Sequence, residues 1–280
     1  MKIGLIGPGR MGRPILDRLR AAGHEVTALV RRAEAQQSAT AEGLSWAATA
    51  HETVRGAEAV LVVVLTDSQV RSVCLGPGGA LEAMEPSATL IQHTTSDPST
   101  AKLLADAGAG RSIGVLDAAL SGGPDDIARG TLTLWVGGDE ALLGSMRPLL
   151  ETYASPVMFV GPLGNGQRVK LVNNALFVAQ VGLAIDAVRL AGSLGIDERD
   201  ILEALPHGSG ASRALSVVAG GGSVDVVRER LADLMSKDVA TARAVAQSEG
   251  ADLGILGTVL ASDAVEVMVL GRGDGPERQL

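Results

Sequence analysis

Short apolar runs alternate with helical stretches from Lys2 to Val160, and this alternation constrains the fold more than anything else in the chain. The segments 2–6 (KIGLI), 25–30 (EVTALV), 59–65 (AVLVVVL), 88–92 (ATLIQ), 112–118 (SIGVLDA) and 155–160 (SPVMFV) have the length and composition of strands. Several are apolar at every position, as expected of strands covered on both faces. Between them lie segments with helical periodicity, among them Met11–Ala22, Pro98–Ala107 and Glu140–Tyr153. Strand and helix in repeated succession predict an α/β fold with a doubly wound, mainly parallel sheet.

The pattern changes at the glycine-rich joint 161–166 (GPLGNG). Beyond it apolar residues recur at helical spacing for about thirty residues, to near Leu194. Helical stretches follow at Glu198–Leu205, Val224–Leu234, Ser236–Ser248 and Gly254–Val269, without a convincing strand. We expect an α/β domain over 1–162 and an all-α C-terminal domain over 163–280, entered by a long interdomain helix and ending in a loose polar tail.

Composition narrows the partners. A net charge of −8 argues against DNA or an anionic membrane surface, and 2% aromatic residues leave little to stack on single-stranded nucleic acid. A small anionic substrate needs only local positive charge and stays open. The single cysteine, Cys74, permits no intrachain disulfide and reads as a small buried apolar residue. No continuous apolar run approaches the roughly 18–20 residues of a membrane span, and the first residues read as a strand rather than a leader. These features lead us to expect a cytoplasmic protein. His24, His51, His93 and His207 are isolated, so no metal-ligand spacing and no Ser-His-Asp arrangement can be argued.

Gly7, Gly9 and Gly12 form G-x-G-x-x-G directly after the first expected strand and at the start of a helix. That context turns a weak motif into a dinucleotide site: a tight turn, a close backbone approach to pyrophosphate, and tight helix–strand packing. The helix N-terminus offers N–H groups to the phosphates, with Arg10 and Met11 in the same turn. The second expected strand ends in Val30-Arg31-Arg32, without the carboxylate that usually bonds a ribose 2′-hydroxyl. Two guanidinium groups suit a 2′-phosphate, so NADP is the expected cofactor, with NAD as the alternative.

The stretch 166–174 (GQRVKLVNN) opens the long apolar helix and places Lys170 and Asn174 four residues apart, on one helix face. By itself this is equally a solvated polar stripe. Three further segments stand in order with it: Asp117-Ala-Ala-Leu-Ser-Gly-Gly123, Thr94-Thr95-Ser96-Asp97-Pro98 and the late pair Lys237-Asp238.

Together these motifs resemble the β-hydroxyacid dehydrogenase family, which includes 3-hydroxyisobutyrate dehydrogenase and short-chain semialdehyde and glyoxylate reductases. The resemblance runs from residue 3 to about residue 270. It implies a Rossmann-type domain followed by a helical domain like that of 6-phosphogluconate dehydrogenase, and a homodimer or homotetramer. It implies Lys170 as general acid and base, with Asn174 orienting substrate and lysine. A substrate carboxylate would lie against Ser121, Gly122 and Gly123, with Thr95 beside substrate and nicotinamide. Leu65 and Lys237 would join the cofactor contacts. The chain departs from the family pattern at Ala119 and Leu120, at Gln92 where an Asp is common, and at Arg230 where many relatives have an aromatic residue. His93 reads as a loop histidine. An imine reductase shares this architecture but commonly lacks the lysine; a nucleotide-sensing protein without catalysis is the other alternative.

Overall fold

A computed structural model describes residues 1–265, apart from the side chains of residues 228 and 230–235. The chain forms two compact units, Met1–Lys170 and Leu171 onward.

The first unit is built on eight strands: β1 (Lys2–Ile6), β2 (Glu25–Leu29), β3 (Ser45–Ala47), β4 (Ala59–Val62), β5 (Thr89–Gln92), β6 (Gly114–Ser121), β7 (Leu132–Gly137) and β8 (Ala154–Phe159). Their order in the sheet is β3-β2-β1-β4-β5-β6-β7-β8. Every neighbouring pair is parallel except β6 and β7. The chain leaves β1 toward β2 on one side and returns through β4 on the other, so the order reverses beside β1. In doubly wound sheets that reversal opens a crevice at the C-terminal ends of the strands.

The all-apolar strands follow from two separate cores. Ile3 and Leu5 of β1, Leu61 of β4 and Ile91 of β5 bury into one face of the sheet. Ile6, Val60, Val62 and Leu90, one residue out of phase, bury into the other. Cys74 belongs to this second core; burial pushes its thiol up to about 12, which leaves it unreactive at neutral pH.

Two strands go beyond the sequence reading. β3 has three residues and no local signature; its pairing with β2 creates it. β7 carried a signal, since Leu132, Leu134 and Val136 are buried and alternate with half-buried Thr133 and Trp135. Helix Asp67–Leu75 likewise announces itself by a capping box from Thr66 to Gln69.

In the second unit, the helix Asn165–Ser193 continues from the first and buries Leu171, Ala175, Val178, Ala179 and Ile185 against shorter helices. Over an 18-residue window its mean hydropathy is 1.6, so by length and composition alone it meets the criterion for a membrane span, and half of that window is buried. A count of continuous apolar runs overlooked this because Gln180, Gly182 and Asp186 interrupt the apolar sequence within the helix. The expected helices Val224–Leu234 and Ser236–Ser248 are one helix, Val224–Ser248. The buried residues on either side of Ser236, Val227 and Val239, join one core, and a serine costs little in a helix interior. The expected helix from Gly254 stops at Leu260. Its end at 266–269, and the tail 271–280, lie outside the described residues.

Candidate active site

Five loops meet the C-terminal edge of the parallel strands. They follow β1 (Gly7–Gly12), β2 (Arg31, Arg32), β4 (Leu65), β5 (Thr94–Ser96) and β6 (Ser121–Gly123).

The glycine loop fits a dinucleotide by its empty volumes. Gly7 has φ +96°, and a Cβ there would meet the carbonyl of Val63. A Cβ on Gly12 would meet the carbonyl of Gly7, so the helix Gly12–Ala21 lies directly on the turn. A Cβ on Gly9 would meet nothing within 4 Å, which leaves the approach to its backbone open. The helix has no side-chain N-cap and no acidic residue in its first turn, as an anion-binding N-terminus requires. Arg10 is exposed beside it, whereas Met11 turns its side chain onto the core. Arg31 and Arg32 are exposed at the end of β2, with no carboxylate between Val30 and Ala33. Leu65 is 61% exposed after β4. Thr94 clips its loop to the loop after β4: its Oγ1 donates to the carbonyl of Val64 at 2.9 Å and accepts from the Val64 N–H at 3.0 Å. Thr95, half-buried, is the next residue.

The loop after β6 differs from expectation. Ser121 is half-buried at the strand end and Gly122 adopts φ +131°. The Gly123 N–H, however, donates to a carboxylate oxygen of Asp126 at 2.7 Å. Asp126 also takes a 2.8 Å ion pair from Arg129. An anion in this loop therefore competes with a resident carboxylate for the Gly123 N–H.

Lys170 is half-buried in the second turn of the long helix, whose start is bound to the sheet by a buried polar network. The carboxylate of Asp117 accepts from the backbone N–H of Gly164 at 2.6 Å and of Gln167 at 2.9 Å. Burial pushes its carboxyl up to about 6 even though these N–H groups pull it down. The Gln167 side chain accepts from the Ser96 N–H at 3.0 Å and donates to Gln92 Oε1 at 3.1 Å. Gln92 in turn donates to the Thr94 carbonyl and to Ser96 Oγ. Sequence reading noted Gln92 only as a departure and did not single out Gln167. The two meet across 75 residues of sequence.

His93 is the first residue of the loop after β5, as expected, but it is buried, 1% exposed. Its Nδ1 lies 2.6 Å from the Ala118 carbonyl, which can only accept, so Nδ1 carries the proton. Nε2 then accepts from the Tyr153 hydroxyl at 3.0 Å. Burial lowers its pKa to about 4 and holds it neutral.

In the second unit, Asn174 donates from its side-chain amide to Asp238 Oδ2 at 2.6 Å, and Asn173 donates to Asn174 Oδ1 at 3.1 Å. Asp238 is 7% exposed, and Lys237 before it is half-buried. The side chain of Arg230 lies outside the described residues.

A mainly parallel sheet with an open glycine turn beside its switch point, joined to a helical unit, defines a dinucleotide-binding protein of the Rossmann type. Residues 2–161 match the family model for the NAD binding domain of 6-phosphogluconate dehydrogenase. Residues 164–273 match the one for the NAD-binding region of NADP-dependent 3-hydroxyisobutyrate dehydrogenase. The chain is 32% identical over 256 residues to the NAD-dependent L-serine dehydrogenase of Pseudomonas aeruginosa, covering 88% of this chain and 86% of that one. It is 31% identical over 215 residues to the 3-hydroxyisobutyrate dehydrogenase of the same organism, covering 77% and 72%. Among solved structures, the 3-hydroxyisobutyrate dehydrogenase of Mycobacterium tuberculosis with L-serine superposes with a TM-score of 0.83 at 26% identity, over 96% of this chain and 93% of that one. The chain belongs to the β-hydroxyacid dehydrogenase family. It is an NAD(P)-dependent dehydrogenase, and a nicotinamide cofactor is part of its chemistry.

Proposed function

We propose that this enzyme interconverts a small carboxylated β-hydroxy acid and its aldehyde or semialdehyde, prefers NADP, and uses Lys170 as its general acid and base. The observation that carries the reading is Lys170 itself, half-buried one turn after a helix start that is bound to β6 and to the Thr95 loop.

A dihydronicotinamide supplies hydride to the carbonyl carbon when bound. In the direction of reduction, Lys170 faces the carbonyl oxygen, stabilises the negative charge that grows there and hands over a proton from its ammonium. In the direction of oxidation the neutral amine takes the hydroxyl proton. Asn174, fixed by Asp238, orients the substrate with its amide. Ser121 and the Gly122–Gly123 loop receive the substrate carboxylate, and Thr95 closes the site on the side of β5. Gly7–Gly12, with Arg10 and Met11, cradles the pyrophosphate. Leu65 and Lys237 complete the cofactor contacts, and Arg31 and Arg32 hold a 2′-phosphate. Relatives named for L-serine and for 3-hydroxyisobutyrate both act on compounds with a hydroxyl β to a carboxylate, which supports that substrate class. We further propose a homodimer or homotetramer acting on small molecules, without nucleic acid or membrane partners, in the cytoplasm.

The test mixes the protein with NADPH or NADH and a panel of semialdehydes, glyoxylate and cyclic imines, and follows cofactor absorbance. Aldehyde-acid turnover that favours NADPH and is lost in Lys170→Ala supports the reading. Imine turnover indifferent to that change, or cofactor binding without any turnover, overturns it.

A further inference from the structure

Gln167 is fully buried and binds three elements at once. Its backbone N–H reaches Asp117 on β6. Its side-chain oxygen takes the N–H of Ser96, the residue after Thr95. Its side-chain nitrogen reaches Gln92 at the end of β5. Lys170 lies three residues further along the same helix, on the neighbouring stripe of its surface.

We infer that Gln167 and Asp117 are positioning residues for catalysis, a buried clamp that fixes Lys170 relative to Thr95. The inference rests on the reading of Lys170 as the general acid and names what holds it in place.

The chemistry of the clamp supports this. The first N–H groups of a helix lack helical partners, and a side chain from the helix's own N-cap ordinarily meets that need. Here the need is met by a carboxylate from a strand 50 residues away. A buried carboxylate is a costly cap, because desolvation outweighs the N–H bonds it receives. The groups that hold its carboxyl down are backbone N–H groups, those of Gly164, Gly166 and Gln167 and its own, with no titratable side chain among them. What the arrangement provides is precision, since a misplacement of about 1 Å at a reacting group can cost on the order of a hundredfold in rate.

The variants to make are Gln167→Met, which fills a similar volume without the amide, and Asp117→Asn, which keeps the shape and one acceptor. Two readouts are taken on each. Hydrogen exchange of segments 93–97 and 165–171 needs no substrate. We expect it to quicken at least tenfold there while the rest of the sheet is unchanged; unchanged exchange in both segments overturns the clamp. The second readout is kcat on the best aldehyde acid, with the deuterium isotope effect from 4-deuterated NADPH. A drop in kcat of about ten- to a hundredfold, a rise in the isotope effect, and a dissociation constant for NADPH within twofold of wild type support positioning. A kcat within twofold and an unchanged isotope effect in a folded variant overturn it. If Gln167→Met does not fold, Asp117→Asn decides by the same two readouts. Loss of activity in Lys170→Ala but in neither clamp variant sinks this inference and leaves the function standing; full activity in Lys170→Ala sinks the function, and the exchange data then judge the clamp by itself.

Discussion

The Asn174 side-chain amide donates a 2.6 Å hydrogen bond to the carboxylate of Asp238, which joins the long helix to the helix Val224–Ser248 across 64 residues of sequence. Removing a partner from such a pair leaves a polar group unsatisfied, at about 1–3 kcal/mol. Asp238→Ala is therefore expected to lower kcat on the preferred aldehyde acid by roughly tenfold or more, because each 1.4 kcal/mol is about tenfold. Asp238→Asn retains an acceptor oxygen and should recover part of the loss. Steady-state kinetics on the two variants checks this.

The glycine turn separates fold from binding. Gly12→Ala puts a methyl group against the Gly7 carbonyl and should cost about 1–3 kcal/mol of stability in urea unfolding. Gly9→Ala meets open space, so its stability should stay close to wild type while the dissociation constant for NADPH rises at least tenfold. Equal NADPH affinity in Gly9→Ala and wild type would mean that no pyrophosphate lies against that backbone.

Arg31→Ala and Arg32→Ala should raise the KM for NADPH by about ten- to a hundredfold together, the scale of a lost charge-assisted contact of 1.5–3 kcal/mol. The KM for NADH should barely move. Equal effects on both cofactors would contradict a 2′-phosphate contact.

His93 and Asp117 make opposite contributions to acid stability. His93 has its pKa lowered from 6.5 to about 4, so its stabilising contribution is present above 6.5 and lost as pH falls through 4. Asp117 is raised from 3.8 to about 6, so its contribution is full below 3.8 and lost as pH rises through 6. Between pH 6 and 4 the two oppose each other. His93→Gln should flatten the acid loss of stability, and Asp117→Asn should steepen it, in urea midpoints measured at pH 4.5 and 7.

Asp126 tests the substrate loop. Asp126→Asn keeps an acceptor for the Gly123 N–H and removes a negative charge beside the proposed carboxylate seat. The KM for an anionic aldehyde should fall several-fold, with little change for a neutral aldehyde of similar size.

How much of this could be read from the sequence depended on distance along the chain. Gly7, Gly9 and Gly12 speak through local spacing; the structure gives Gly7 and Gly12 a steric reason and leaves the space over Gly9 open. The apolar strands announced a sheet buried on both faces, and β7 had its alternation too. The two helical stretches expected on either side of Met235 are one helix, because the core they share continues past it. What the chain could not disclose were contacts between distant residues. Asp117 to Gln167, Gln92 to Gln167 at 75 residues' separation, and His93 to Tyr153 at 60 leave no periodic or spacing trace. Asp126 stands in the first turn of its helix, and its bond from the Gly123 N–H was not anticipated.

The most direct test of the account is single-turnover reduction of a small aldehyde acid by NADPH in wild type and Lys170→Ala, followed across pH. The account predicts that Lys170→Ala binds NADPH normally, yet transfers hydride at least a hundredfold more slowly and loses the titration that governs the wild-type rate. Hydride transfer at the wild-type rate with the same pH dependence would contradict it.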